Sequence, residues 1–265
     1  MRILAGIMVF GAVIILAVPG SFPASALNRV LGVIGTDERE HVYEAGAPWD
    51  AIGQINISGY RSRGMCTGTL IGPDRVVTAA HCLLDPRTNT AYAASRIHFL
   101  AGVRGGDHKG HATAKCVRFF AGRDTARGDT RRAVNAAEDA AIIILNHKID
   151  VPPARFTQSH SDRRGQFLVH AAYGFDRRFG LSAHFGCRLT RIAGVARLWF
   201  NDCDTSPASS GGPVFIKTGE QLSLAAIMIA AGGRQENIEN IAWPLANWGD
   251  LDLVSACAQN QGGAH

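Results

Sequence analysis

Val77-Thr78-Ala79-Ala80-His81-Cys82 joins a short apolar run to a histidine that is followed directly by a cysteine. The run begins at Arg75, after the turn signal Gly72-Pro73-Asp74, and reads as a strand that delivers His81 at its end. A neutral imidazole held at the end of a strand can take a proton from a hydroxyl and later return it. Upstream, Ile55 and Ile57 alternate with Asn56 and Ser58, and Cys66 to Ile71 follows beyond a Gly/Arg/Ser turn, which is hairpin spacing. Downstream, strands are predicted over Arg96 to Leu100, Ala112 to Phe120 and Ala140 to Leu145, the last an Ile-rich run whose length favours a buried strand over a helix.

Pro152-Pro153 closes this half, and a linker runs through Arg164. Strand signals resume at Gln166 to Tyr173, Ser182 to Thr190, Ala196 to Phe200, Pro213 to Lys217 and Ser223 to Ala231. Near the end, Leu245, Trp248, Leu251 and Val254 recur at helical spacing and predict one C-terminal helix. Two all-β units of roughly 100 residues fit this strand count. The expected division is 1–26 leader, 27–48 an extended N-terminal segment lying over the fold, 49–153 the first β unit, 154–257 the second unit with the helix, and 258–265 a tail.

The compartment is read from the start of the chain. Met1-Arg2 precedes a run from Ile3 to Val18 without a charge, and Ala24-Ser25-Ala26 is a small-x-small end, the three parts of a secretory leader. Roughly 16 apolar residues fall short of the ~20 that a helix needs to span hydrocarbon, so cleavage after Ala26 is expected, with no stable membrane association afterwards. The remaining chain is long enough to bury a core without a metal. All six cysteines lie after the leader, so three disulfides are expected in a secreted or periplasmic protein, and the residues alone allow 15 pairings. No Cys-x-x-Cys or Cys-plus-His spacing supports zinc, and His108-x-x-His111 is a weak hint that reads as a loop. A net charge of +5 is too small to imply nucleic acid, and the arginines at 123, 127, 131–132, 163–164 and 177–178 read as solvated loops.

Two further motifs complete the chemistry. Asp139 stands immediately before Ala140-Ala141-Ile142-Ile143-Ile144-Leu145, where a carboxylate can be held firmly enough to orient an imidazole and stabilise its charged form. In Ser209-Ser210-Gly211-Gly212-Pro213 the glycines let the chain turn sharply and bring backbone N–H groups near a reacting carbonyl. Taken singly, each motif has an ordinary reading as a core histidine, a turn aspartate or a loop.

Together, in the order His, Asp, Ser, they resemble the signature segments of the trypsin/chymotrypsin-like serine peptidases, over roughly Trp49 to Trp248, with Thr78-Ala79-Ala80-His81-Cys82 the most specific part. The resemblance implies an all-β fold of two six-stranded antiparallel barrels and a secreted serine endopeptidase that acts on protein or peptide and uses no cofactor; a monomer is expected, although nothing in the residues decides the oligomeric state. It assigns His81 as general base and acid, Asp139 as its orienter, Ser210 as the nucleophile, and the N–H groups of Ala208 and Ser210 as the oxyanion hole. It also implies the pairs Cys66–Cys82, Cys187–Cys203 and Cys116–Cys257.

The sequence departs from the family's Gly-Asp-Ser-Gly-Gly-Pro in two places. Ser209 replaces the aspartate that, in animal zymogens, receives a new amino terminus, so that mode of activation is not expected. Ala208 replaces a glycine, and a Cβ disfavours the backbone geometry that a donor needs there. In lacking that aspartate, and in Cys203-Asp204-Thr205 followed by Ser-Gly-Gly, the chain looks more like secreted bacterial members near the glutamyl endopeptidase branch. By position, Asp204 and Thr205 fall in the specificity pocket, where Asp204 either receives a basic side chain of the substrate or pairs with a neighbouring arginine or hydrogen-bonds its own loop. The glutamyl enzymes' pocket histidine has no counterpart on Ala225 to Ala231. The alternative function is a weak or inactive peptidase-like module that binds protein in the same cleft. An α/β-hydrolase is disfavoured, because its elbow needs glycine at 208 and its histidine should follow the serine.

Overall fold

The computed structural model describes residues 30–59, 64–120, 135–159, 164–232, 239–251 and 257. Thirteen strands lie among them. The first is the short β1 (Glu40–His41). The next six are β2 (Ile52–Ile57), β3 (Gly64–Gly72), β4 (Arg75–Thr78), β5 (Ile97–Ala101), β6 (Gly110–Phe119) and β7 (Ala141–Leu145). They close an antiparallel barrel in the order β2-β3-β4-β7-β6-β5. Strand β5 alternates buried and half-buried residues, as a one-sided barrel wall should, whereas β7 is buried along its whole length. That accounts for the unbroken Ala-Ile-Ile-Ile-Leu run.

The second barrel consists of β8 (Phe167–Ala172), β9 (Ser182–Ala193), β10 (Leu198–Asn201), β11 (Pro213–Thr218), β12 (Gln221–Gly232) and β13 (Glu239–Pro244). Its order is β9-β10-β13-β12-β11-β8, and a pairing of β8 with β9 closes the ring. The fold is therefore two six-stranded antiparallel barrels, with β1 added along β9 through Glu40 opposite Ala183 and His41 opposite Ser182.

Strand β13 is absent from the sequence-based prediction, and the reason is physical. Two of its buried side chains are Asn240 and Ala242, one polar and one small, so no apolar alternation marks it. The predicted C-terminal helix is seen only as a single 3-10 turn, Leu245–Asn247, while residues 252–256 lie outside the described residues. Trp248 and Leu251 still turn inward. Trp248 joins Trp243 and Phe120 in an edge-to-face cluster with centroids 4.7–6.0 Å apart, which ties the exit of the first barrel to the last strand of the second.

The cysteines pair as Cys66–Cys82, Cys187–Cys203 and Cys116–Cys257. The first sits beside His81, the second lies within the second barrel's apolar cluster, and the third reaches from β6 to the chain's end.

Candidate active site

Strand β4 ends at Thr78, and the chain then enters a 3-10 turn, Ala80–Leu83, that carries His81. Asp139 follows another 3-10 turn, Ala136–Glu138, whose entry is capped by the Asn135 side chain accepting from the Ala137 N–H at 2.9 Å. The indole N–H of Trp243 donates to the Ala137 carbonyl at 3.0 Å, so the second barrel braces this turn from behind. Strands β4 and β7 are paired, with Thr78 opposite Ala141, and their register brings the two turns together.

Asp139 then holds the histidine at two points. Its Oδ1 accepts the backbone N–H of His81 at 2.9 Å, and its Oδ2 accepts from Nδ1 of the ring at 2.7 Å. A carboxylate acceptor requires the proton on Nδ1, which leaves Nε2 as the basic nitrogen. The carboxylate is 10% exposed and the imidazole 41%, so the orienting group is withdrawn from water while the ring remains accessible.

Ser210 is brought to the same place by backbone contacts. Its carbonyl accepts the Thr67 N–H at 2.9 Å, and Thr67 in turn accepts the Thr78 hydroxyl at 2.8 Å on its own carbonyl. Gly211, with φ +81°, packs so closely here that a Cβ would stand 2.1 Å from Thr78 Oγ1 and 2.2 Å from the Thr67 carbonyl oxygen. Only glycine fits. The Cys82 sulfur lies 3.8 Å from His81 Nε2 and 3.7 Å from the Ser210 carbonyl oxygen, so the ring's free nitrogen and the serine flank one atom.

The loop before Ser210 is a tight turn. The Ser209 N–H donates to the Ser206 carbonyl at 3.0 Å, Pro207 is second and Ala208, third, has φ +78°, the pattern of a type II turn with alanine where glycine is usual. The Ser209 N–H is thus used, and those of Gly211 and Gly212 donate to the carbonyls of Met228 and Ser209. The N–H groups of Ala208 and Ser210 have no acceptor among the described residues. Two free donors separated by one occupied donor are what a developing oxyanion requires. Thr67 steadies this turn as well, since its hydroxyl donates to the Ala208 carbonyl at 3.2 Å and accepts the Tyr173 N–H at 3.0 Å.

Asp204 and Thr205 are placed differently from a simple pocket floor. Asp204 is 1% exposed, and its two oxygens accept the N–H groups of Ile34 at 2.7 Å and Glu38 at 2.8 Å. Its charge is engaged by the N-terminal segment. The Thr205 hydroxyl lies 3.3 Å from Nε2 of the buried His170, whose Nδ1 donates to the Pro213 carbonyl at 3.0 Å. Burial, only partly offset by the Pro213 bond, lowers the His170 pKa to about 4. His111 lies on β6, stacked on His98 with Nε2 and Nδ1 3.0 Å apart.

Four residues that contact the site's turns or the loop before Ser210 carry no signal in the sequence: Thr67, Trp243, and Arg39 with Asp176, which pair at 2.6 Å. A threonine in a barrel strand carries no catalytic signal. The Arg177-Arg178 stretch was read as a solvated loop, yet Arg177 pairs with Asp37 at 2.8 Å.

The family model of the trypsin-like peptidase domain matches residues 66–223. A glutamyl endopeptidase of Bacillus licheniformis is 32% identical over 196 residues, which cover 73% of this chain and 57% of the relative, so the chain spans less than two thirds of that relative's length. A solved structure of Glu endopeptidase in complex with MPD superposes with a TM-score of 0.66 at 21% identity, covering 82% of this chain and 95% of the other. Protease Anisep from Arthrobacter nicotinovorans superposes with a TM-score of 0.58 at 19% identity, covering 83% and 97%.

Proposed function

Because this chain belongs to the trypsin-like peptidase family, we propose that it is a serine endopeptidase of the secreted or periplasmic space, with His81, Asp139 and Ser210 as its triad. The observation that carries the reading is the two-point grip of Asp139 on His81, which frees Nε2 beside the Ser210 loop. The leader at 1–26 and the three disulfides support the compartment. Among the described residues, no helix is long and apolar enough to cross a membrane.

In this mechanism Ser210 Oγ attacks the carbonyl carbon of a peptide bond as its proton passes to His81 Nε2. Asp139 stabilises the imidazolium through the Nδ1 bond, and the N–H groups of Ala208 and Ser210 donate to the oxygen that gains negative charge. The imidazolium gives its proton to the departing amine, leaving an acyl group on Ser210. Water, deprotonated by the same nitrogen, hydrolyses that ester and restores the serine.

The substrate is protein or peptide, and we expect cleavage after uncharged side chains. Asp204 is engaged by the N-terminal segment, and β12 offers Met228, Ile229, Ala230 and Ala231. No free charge on these elements awaits a basic or an acidic residue. Incubation of the mature protein with a peptide library, read by mass spectrometry beside Ser210→Ala, tests both points. Internal cleavage lost in the variant, and clustered after uncharged residues, is the expected result. A folded wild-type protein that cleaves nothing contradicts the peptidase reading, and clustering after Glu, Lys or Arg contradicts the pocket reading.

A further inference from the structure

The three residues that lead into the Ser210 turn are all held from one side. Asp204 accepts the N–H groups of Ile34 and Glu38, the Thr205 N–H donates to the Gly32 carbonyl at 3.1 Å, and the Ser206 hydroxyl donates to Asp176 Oδ1 at 2.7 Å. Asp176 in turn receives the Arg39 guanidinium on Oδ2 at 2.6 Å. Arg39 has a side chain only 3% exposed, and a second carboxylate, Asp37, holds it at 2.8 Å. Burial disfavours the charge on Arg39, but the bonds to Asp37 and Asp176 outweigh it and raise the pKa, so the guanidinium stays charged. A buried, doubly paired arginine is geometrically fixed in a way that a surface ion pair is not.

Ser206 is also the first residue of the turn that presents the free N–H groups. Its carbonyl accepts from Ser209, and its own N–H donates to Ser209 Oγ at 3.2 Å. The Phe175 N–H, next to Asp176, donates to the Pro207 carbonyl at 2.9 Å. The chain of contacts therefore runs from Arg39 through Asp176 and Ser206 to the turn that forces Ala208 to φ +78°. That conformation is costly for alanine and persists only where the surroundings over-determine it.

We propose that the N-terminal segment Gly32–Arg39 is a built-in clamp on the oxyanion-hole loop, with Arg39 as a positioning residue that acts through Asp176 and Ser206. The Arg39 side chain, the Gly32 carbonyl and the N–H groups of Ile34 and Glu38 do the holding, so the clamp requires no free amino terminus. It rests on the peptidase reading for its kinetic consequence, although the contacts themselves do not.

The test compares Arg39→Gln, Arg39→Lys and Ser206→Ala with the wild type. Ser206→Ala removes only the hydroxyl link and guards against misfolding of the Arg39 variants. For each, active sites are titrated, kcat and KM are measured, and inhibition by a peptidyl boronic acid is recorded, because its tetrahedral adduct uses the same donors as the oxyanion. Arg39→Gln and Ser206→Ala are expected to lower kcat per titrated site about tenfold, short of the ~10²–10³ cost of losing a donor outright. Boronate affinity falls in parallel, KM stays within about twofold, and Arg39→Lys recovers part of the loss. Arg191→Gln, which cuts the exposed pair with Glu239 on the same barrel, leaves kcat unchanged. Wild-type kcat per titrated site and unchanged boronate affinity in Ser206→Ala and Arg39→Gln overturn the clamp. Amide exchange over residues 203–210 decides the matter even in an inactive protein: faster exchange in Ser206→Ala supports the clamp, and equal rates overturn it.

Discussion

The two barrels hold their halves of the site by different means. In the first, His81 and Asp139 sit next to the ends of paired, largely buried strands, and one carboxylate joins them directly. In the second, Ser210 and its flanking N–H groups sit on a loop set by polar contacts: Thr67 from the first barrel, Asp176 and Ser206 from its own side, and the N-terminal segment. The interiors differ in the same sense. One large cluster rich in isoleucine fills the first barrel and continues into the second through Phe215, Leu224, Ile227 and Trp243, while the second barrel also holds a smaller cluster around Trp199, Met228 and the Cys187–Cys203 bridge. Buried His170, His184, Asn201 and Asn240 also lie in the second barrel. Buried strands position one half, and a hydrogen-bonded network positions the other.

The largest expected effect lies in the first barrel's half. Asp139→Asn preserves the shape but can no longer hold the proton on Nδ1, so kcat should fall by ~10⁴ with KM little changed. Steady-state kinetics on a peptide substrate measures this. A loss no larger than the roughly tenfold expected for Ser206→Ala would erase the contrast between the halves.

The disulfides offer a matched pair, one per barrel. Cys66–Cys82 and Cys187–Cys203 have the same sequence separation of 16, so chain entropy predicts a similar cost of about 3 kcal/mol for removing either. Cys187 and Cys203 are both buried and complete a small apolar cluster, so their double serine variant should lose more in urea denaturation than the Cys66/Cys82 variant. Equal losses would mean that the second barrel does not depend on its bridge for packing.

Acid should also strike the second barrel first. The folded His170 pKa, about 4, lies below the ordinary value near 6.5, so the unfolded chain binds a proton that the folded one refuses. This contribution is fully present above about pH 6.5 and is lost as pH falls towards 4, amounting to as much as ~3 kcal/mol. Denaturation curves at several pH values should show a shallower slope across this window for His170→Gln.

The smallest effect concerns the turn. Ala208→Gly relieves a positive φ that costs alanine ~1–2 kcal/mol, offset by the greater freedom of glycine when unfolded, for a net gain of up to ~1 kcal/mol and a slightly higher Tm.

The same contrast explains what the sequence disclosed. Val77-Thr78-Ala79-Ala80-His81-Cys82 and Asp139-Ala140-Ala141-Ile142-Ile143-Ile144-Leu145 were legible because apolar runs deliver their polar residues directly. Ser210 is proposed from the glycines that follow it, and the N–H groups on either side of Ser209 have no acceptor among the described residues. The clamp was not legible, because Arg39, Asp176 and Ser206 are separated by more than 130 residues at one step, and no local pattern marks three polar residues that meet only in the fold. Strand β13 was missed for a related reason: buried Asn240 donates to the carbonyls of Gly32 and Cys203, so the position reads as a loop residue.

The most direct test of the triad is labelling of the mature protein with a fluorophosphonate, with mass spectrometry to locate the adduct, beside Ser210→Ala and His81→Ala. One adduct per folded molecule on Ser210 is predicted, absent in Ser210→Ala and slowed by at least ~10³ in His81→Ala. A folded wild-type protein that takes no adduct, or takes it on another residue, contradicts the assignment of Ser210 as the activated nucleophile.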